Sequence, residues 1–262
     1  MGRGSSGAGG KKAGGGAAKT PSGVTYNQFM QMTDDQKYNL MNSIISDTNL
    51  QTPDTMDNSD TSKVLYALGV TNKPTVVDDA TLDGMSGKEI YRTVYEAGTM
   101  PPPSSGDILD QIRNGDYTYM SGRGGSAHGR AIYFATDFSD SRTYGDGERN
   151  AMMMRAKINP NAKIVREDNL ANQMRNDTTW QRSNVYSNAG HADEKALYAI
   201  AHGIDGWYSN TYTMMVNRGA LTASSKNKRI TQIGKGVGQT KTGRLKRGVS
   251  YARSWAGAED AN

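Results

Sequence analysis

Both ends of the chain are rich in glycine and basic residues and carry long runs without an acid. The first twenty residues include eight glycines, and residues 226–253 contain nine lysines and arginines but no aspartate or glutamate. Segments with so few apolar side chains cannot bury enough surface to offset the entropy lost on ordering. We therefore expect a flexible arm at residues 1–22 and a basic tail at residues 226–262, which confines a packed core to the residues between them.

The composition excludes several classes of protein. Without cysteine, the chain has no disulfide framework, no thiolate zinc site and no cysteine nucleophile. Its three histidines lack the HExxH spacing of a zinc site, so no metal is expected. The sequence has no window of about 18 apolar residues and no apolar stretch near its N-terminus. A membrane-spanning protein and a protein secreted by a signal peptide are therefore not expected.

The formal net charge of +5 is concentrated in the two ends of the chain. Because the ends hold so many basic residues, residues 21–225 are net acidic. Clusters of lysine and arginine bind polyanions through counterion release, so both ends are candidate contacts for nucleic acid. Basic, glycine-rich ends also occur simply as soluble extensions, and the sequence leaves both interpretations open.

Apolar spacing predicts a helical segment at residues 23–85. Residues 25–47 show the helical period, with Thr33 and Gln36 placed as a capping box between two short helices. A further helix is predicted at residues 62–68.

The pattern changes at residue 89, where short β-type runs separated by glycine and proline begin. Their irregular spacing and the lack of repeated helical crossovers predict an α+β domain over residues 86–225 rather than a doubly wound parallel sheet. Helices are predicted within it at residues 104–112 and 192–201. The predicted strands are 90–95, 132–135, 152–158, 163–165 and 212–216.

The most informative stretch is residues 129–144, which read GRAIYFATDFSDSRTY. A short apolar strand presents Tyr133 on one face, and a turn leads to Ser141 and Tyr144, which are neighbours if that segment is helical. Two tyrosines with a hydroxyl between them are suited to hold a flat, electron-poor ring such as oxidised nicotinamide. The alternative is that both tyrosines are core aromatics, and spacing alone leaves both interpretations open.

This stretch resembles the NAD-binding signature of the ADP-ribosyltransferase superfamily, specifically its poly(ADP-ribose) polymerase and diphtheria-toxin-like branch. In that branch a tyrosine, a serine and a second tyrosine surround the nicotinamide, and Tyr133, Ser141 and Tyr144 match them at the same spacing. The resemblance implies NAD as the substrate and a split β-sheet core of the ADP-ribosyltransferase type. A weaker similarity to transferase domains of phages and prophages extends it over residues 64–223.

A second match lies upstream, where residues 89–94 read EIYRTV. It resembles the opening strand of the arginine-using branch, in which the arginine contacts the phosphate or ribose of NAD through its paired donors. The resemblance therefore gives Arg92 and Tyr133 catalytic and NAD-binding roles and places Thr93 in the NAD site. Thr93 replaces the glycine usual in the family, and the histidine of the polymerase branch is absent. The alternative for Arg92 is a residue of a surface ion pair.

The catalytic glutamate of the family is missing from the corresponding late strand. Residues 211–219 read TYTMMVNRG and resemble a toxin-like strand whose two glutamates are here Thr211 and Thr213. By resemblance, synthesis of poly(ADP-ribose) chains is not expected. Glu194, three residues after His191 at the start of a predicted helix, is a weak substitute, since a glutamate there ordinarily interacts with the helix dipole.

Two functions follow from the resemblance. The first is an NAD-dependent mono-ADP-ribosyltransferase of phage origin that modifies a protein acceptor in the host cytoplasm. The second is a virion-associated structural protein that keeps the fold without the chemistry and binds nucleic acid or a neighbouring subunit through its basic ends. The matched tyrosine and serine residues favour the first function, and the missing glutamates favour the second.

Overall fold

The computed structural model describes residues 20–94, 105–116, 129–143 and 151–229, together with the backbone of residues 259–260. Tyr144, most of the predicted N-terminal arm and most of the predicted basic tail lie outside the described residues. The helices are α1 (Tyr26–Met30), α2 (Asp34–Ser46), α3 (Asp60–Ala67), α4 (Asp79–Gly84), α5 (Ser105–Arg113), α6 (Phe138–Thr143), α7 (Glu167–Asn176), α8 (Thr178–Arg182), α9 (Asn184–Asn188) and α10 (Glu194–Ala201). The strands are β1 (Thr75–Val77), β2 (Glu89–Val94), β3 (Ile132–Ala135), β4 (Met152–Ile158), β5 (Ile164–Arg166), β6 (Gly206–Tyr208), β7 (Tyr212–Met215), β8 (Leu221–Ser224), β9 (Lys228–Arg229) and β10 (Glu259–Asp260).

Side-chain caps begin the N-terminal helices where the sequence predicts them. Thr33 Oγ1 accepts a hydrogen bond from the backbone N of Gln36, and the Gln36 side chain accepts one from the backbone N of Thr33 at 2.9 Å. The predicted capping box is therefore confirmed, and the two acidic residues that open α2 complement its dipole. Gly69 follows α3 with φ +71, in the left-handed region that favours glycine after a helix end.

The strands form one mixed sheet, so the predicted α+β class is confirmed. Its order is β1-β8-β4-β2-β3-β7-β6-β5, with β9 beside β4. The pairs β1–β8 and β5–β6 are parallel, and the central pairs are antiparallel. β2 pairs with β4 along its whole length and β3 with β7 along its whole length. β2 and β3, in contrast, are registered only where Tyr91 lies opposite Ala135.

One hydrophobic core joins the N-terminal helices to this sheet. Its buried members include Phe29, Tyr38, Met41 and Leu65 from the N-terminal helices and Ile90, Phe134, Leu197 and Trp207 from the sheet and α10. The Tyr26 hydroxyl also donates to the carbonyl O of Ile200 at 3.0 Å. The N-terminal helices therefore pack as part of the α+β unit. None of the described helices is both long and apolar enough to cross a membrane.

The sheet crosses two of the predicted boundaries. β1 lies inside the predicted helical segment of residues 23–85, yet it pairs with β8. β9 lies inside the predicted tail of residues 226–262, yet it pairs with β4. Such short strands of exposed or basic residues lack the alternation of apolar side chains by which a strand is recognised in a sequence. Their place is set by the backbone of the partner strand.

Candidate functional site

Tyr133 and Tyr212 lie side by side on one face of the sheet. In the antiparallel pair β3–β7, Tyr133 is opposite Met214 and Ala135 is opposite Tyr212. Successive side chains of a strand point to opposite faces, so Tyr133 and Tyr212 share one face. Their ring centroids are 5.7 Å apart at an interplanar angle of 32°.

Thr93 and Ser141 meet on the same face. Tyr91 lies opposite Ala135, so the alternation of β2 puts Thr93 on the face that carries Tyr133. Helix α6 covers this face, where the ring of Phe138 packs edge-on against Tyr91 at 5.8 Å between centroids. This packing brings Ser141, 1% exposed, to Thr93, with 2.6 Å between the two hydroxyl oxygens. Two residues that are 48 apart in the chain, and that the resemblance assigns to the NAD site, are therefore in direct contact.

Arg92 points to the other face of β2 and is buried. It is 8% exposed, and its Nη1 donates to the main-chain carbonyl O of Tyr133 at 2.8 Å. A charged donor makes a stronger hydrogen bond than a neutral one. Arg92 thus ties β2 to β3 beyond the position at which the two strands are registered. Arg92 therefore lies neither at the surface, as the ion-pair alternative requires, nor on the face that carries Thr93 and Tyr133, where the resemblance gives it an NAD-binding role.

The two threonines that the resemblance matches to catalytic-strand glutamates have different environments. Thr213 lies opposite Phe134, on the face turned away from Tyr133, and is completely buried. Its Oγ1 has no hydrogen-bond partner in the described part of the chain. Thr211 is exposed just before β7, and its carbonyl O accepts a hydrogen bond from the backbone N of Thr136 at 3.1 Å. Neither position supplies a carboxylate.

Glu194, the weak substitute for that glutamate, begins α10. Its Oε1 lies 3.3 Å from Nδ1 of His191, whose side chain is fully exposed. A glutamate at a helix start, paired with an exposed histidine, matches the ordinary role of an acid near the helix dipole. The structure does not bring Glu194 into contact with Thr93, Tyr133 or Ser141.

The carboxylate linked to the tyrosine face is Glu167, which the sequence analysis did not single out. Its Oε2 accepts a hydrogen bond from the Tyr212 hydroxyl, and its Oε1 accepts one from Nζ of Lys195 at 2.5 Å. Burial and the Glu167 carboxylate raise the pKa of the Tyr212 phenol well above its usual value, so the hydroxyl remains a donor at neutral pH. Glu167 is the first residue of α7 and stands between Arg166 and Asp168. Nothing in this local sequence indicates that Glu167 contacts Tyr212 or Lys195.

The described residues contain no group of three or more histidine, aspartate or glutamate side chains arranged to hold a metal ion. Comparison with known proteins gives no assignment either: no protein-family model matches the chain, and no curated protein or solved structure matches it significantly. The function must therefore be argued from the residues of the site itself.

Proposed function

We propose that the sheet face formed by Thr93, Tyr133 and Ser141 binds the nicotinamide end of NAD, and that the protein transfers one ADP-ribose from NAD to a protein acceptor. The observation that carries this proposal is the contact of Thr93 with Ser141 on the face that presents Tyr133. The family resemblance assigns these residues to one site, although they come from two strands and a helix. The sheet, registered at one position between β2 and β3, is also consistent with a split core.

In this proposal each residue has a physical task. The Tyr133 ring stacks on the nicotinamide, an interaction worth about 0.5–1.5 kcal/mol beyond the area buried. The Thr93 hydroxyl, held in place by the buried hydroxyl of Ser141, contacts the carboxamide, and Arg92 keeps the Tyr133 strand in place through the main-chain carbonyl of Tyr133. Transfer breaks the bond between the nicotinamide nitrogen and C1′ of the ribose. Nicotinamide leaves with the bonding electrons, and the acceptor bonds to C1′ and loses a proton.

Labelled NAD tests this proposal directly. The purified protein is incubated with ADP-ribose-labelled NAD and bacterial lysate, and labelled acceptors are counted for wild type, Tyr133→Ala and Tyr186→Ala. Tyr186 is an exposed aromatic on α9 and serves as the matched control. We expect labelling by wild type and by the control, and at least a tenfold loss in Tyr133→Ala. Equal labelling by all three proteins, or none by any, would remove the enzymatic assignment.

The second candidate is a virion-associated protein with this fold and no transfer chemistry. The burial of Thr213 favours this candidate. The side chain at this position is not a carboxylate and is not accessible to solvent. Thermal stabilisation by NAD separates the two candidates, since a ligand at 100 times its Kd adds about 2.7 kcal/mol to stability. A protein without a shift in its melting temperature at millimolar NAD would fit the second candidate.

In the second candidate function, the basic ends of the chain bind nucleic acid. Binding to DNA through these ends must weaken steeply as salt rises, because counterion release drives it. Truncation after Arg229 keeps β9 and removes most of the basic tail. Loss of salt-dependent DNA binding in that variant would support the candidate, and DNA binding that is insensitive to salt would contradict it.

A further inference from the structure

Tyr212 occupies one side of the Tyr133 ring. The 5.7 Å between the two ring centroids is within the range of a direct aromatic pair. A planar ligand inserted between them would need a separation of about 7 Å, which corresponds to two stacking distances of about 3.5 Å. The nicotinamide of the proposed function therefore stacks on the side of Tyr133 that is turned away from Tyr212. Tyr212 packs against the opposite side of the Tyr133 ring and supports it from behind.

Tyr212 is itself fixed through its hydroxyl. It is 8% exposed, and its hydroxyl donates to Glu167 at the start of α7. Lys195 of α10 holds the other oxygen of the same carboxylate. A buried phenol hydroxyl without a hydrogen-bond acceptor destabilises the folded protein. The Glu167 carboxylate therefore determines where the Tyr212 ring lies. Lys195 offsets the negative charge of that acceptor.

Residues at and just before the start of α10 also contact the segment that leads into β3. The backbone N of Arg130 donates to the carbonyl O of Ala192 at 2.7 Å. Gly129 has φ +95, and a Cβ there would lie 3.4 Å from Cβ of Lys195 and 2.9 Å from the Trp207 ring. Lys195 thus packs closely against the start of the Tyr133 strand, and α7, β7, α10 and β3 are held together around Tyr133.

We propose that Tyr212, Glu167 and Lys195, here called the tyrosine brace, are positioning residues that fix the Tyr133 ring for NAD. The inference rests on the proposed function. The brace acts from behind Tyr133 and does not touch NAD, so it governs the affinity for NAD more than the rate of transfer from bound NAD. Glu167 and Lys195 lie outside the motifs that resemble the ADP-ribosyltransferase superfamily, and Tyr212 is not one of the two positions matched to glutamates in the late strand.

The experiment measures the Kd for NAD by titration calorimetry and the melting temperature of the free protein for a set of variants. Tyr212→Leu removes the backing ring, Tyr212→Phe keeps the ring without its hydroxyl, and Glu167→Gln keeps an acceptor for that hydroxyl. Tyr208→Leu is the matched control, because Tyr208 lies on the neighbouring strand opposite Thr213, on the other face of the sheet. All titrations are made at least 10 °C below the lowest melting temperature.

We expect Tyr212→Leu to raise the Kd for NAD about tenfold, the upper range for loss of an aromatic pair. Tyr212→Phe and Glu167→Gln, which preserve the ring or the acceptor, should raise it by a smaller factor of about two to three. In the transfer assay the effect should fall on KM, with kcat within about twofold of wild type. Tyr208→Leu should change the melting temperature and leave the Kd unchanged, as a merely structural side chain would.

The outcomes separate the two proposals. If wild type binds no NAD, the proposed function fails and the brace fails with it. If wild type binds NAD and the folded Tyr212 variants bind it equally well, the brace alone is overturned and the function of Tyr133 stands. If Tyr212→Leu does not fold, Tyr212→Phe and Glu167→Gln decide. A measurable loss of affinity in both supports the brace, and unchanged affinity in either overturns it.

Discussion

The two threonines that the resemblance matches to glutamates of ADP-ribosyltransferases, Thr211 and Thr213, differ sharply in burial. Thr213→Glu would put a carboxylate where the side chain is fully buried, whereas Thr211→Glu would put one on the surface just before the same strand. Burial of an unpaired charge costs several kcal/mol, and an exposed substitution usually changes stability by less than about 0.5 kcal/mol. We expect Thr213→Glu to be destabilised by at least 3 kcal/mol, roughly, and Thr211→Glu to match wild type.

Urea denaturation followed by circular dichroism measures both values. Thr213→Val is the control for position 213, since it keeps the shape and removes a buried hydroxyl that lacks a partner among the described residues. Its stability should equal or exceed that of wild type by up to about 1 kcal/mol. Equal stability of Thr213→Glu and Thr211→Glu would contradict the burial of Thr213. Of the two positions, we therefore expect only 211 to accept a glutamate without loss of stability.

Sequence motifs predict part of the candidate site. The resemblance selects Thr93 and Ser141, and the structure brings their hydroxyls together. The resemblance also selects Arg92. The hydrogen bond from Arg92 to the Tyr133 carbonyl depends on how β2 and β3 pair, which a sequence motif does not specify. Glu167 was missed because its partner Tyr212 lies 45 residues away, and only the folded chain makes them neighbours.

Apolar spacing predicts the helices that bury several side chains and misses three that bury only one. It indicates α2, α3 and α10 at nearly their observed positions. Helices α7, α8 and α9 each bury a single side chain, respectively Leu170, Trp180 and Val185. One buried residue per helix produces no apolar period in the sequence. Tertiary contacts therefore stabilise these three helices.

One of these contacts joins α2, α8 and α10 through a polar cluster. The Tyr38 hydroxyl donates to Oδ2 of Asp177 at 2.9 Å, and Nε2 of His202 lies 2.9 Å from the same hydroxyl. The single proton of the phenol goes to Asp177, so Nε2 of His202 carries a hydrogen and donates to Tyr38. Asp177 also caps α8 by accepting from the backbone N of Trp180 at 2.8 Å. The cluster thus joins the body of α2 to the start of α8 and the end of α10.

This cluster predicts a fall in stability in mildly acidic solution. Burial lowers the pKa of His202 below its usual 6.5, outweighing Asp34 and Asp177, which raise it, while Lys37 and Lys163 lower it further. The unfolded chain therefore takes up a proton on this histidine more readily than the folded protein. The stability that the neutral side chain contributes is complete above pH 6.5 and is lost as the pH falls through the lowered pKa.

Urea denaturation at pH 7.5, 6.5 and 5.5 tests this prediction. His202→Gln keeps a donor for Tyr38 without a titrating ring, so its stability should vary less over this range than that of wild type. His191→Gln is the control, because the His191 side chain is fully exposed. It should keep the pH dependence of wild type. Parallel pH profiles for wild type and His202→Gln would contradict the role of His202.

At the scale of the whole molecule, charged groups connect the N-terminal helices to the candidate site. Arg130, just before β3, pairs with Asp57 at 2.9 Å and with Asp193 at 3.2 Å. The buried Asp193 carboxylate also accepts from the backbone N of Thr61 at 3.1 Å. Division of the chain by composition predicts a helical segment and an α+β domain and does not say whether the segment is separate from that domain. The structure places both around one core, through contacts that composition does not reveal.

The shared core makes the α+β part of the chain depend on the N-terminal helices for its stability. Removal of residues 1–85 would expose the partners of Phe29, Tyr38, Met41 and Leu65, all of them almost completely buried. Each such side chain contributes about 1.5–3 kcal/mol by burial, and four of them approach the entire 5–15 kcal/mol by which a domain is usually stable. The same truncation removes β1 from the edge of the sheet next to β8. We therefore expect residues 86–262 alone to lack a cooperative thermal transition by circular dichroism and to bind the dye ANS, whereas the full chain melts cooperatively. A cooperative transition of the truncated protein, with its near-ultraviolet spectrum retained, would show that residues 86–262 fold on their own and that the N-terminal helices only cover them.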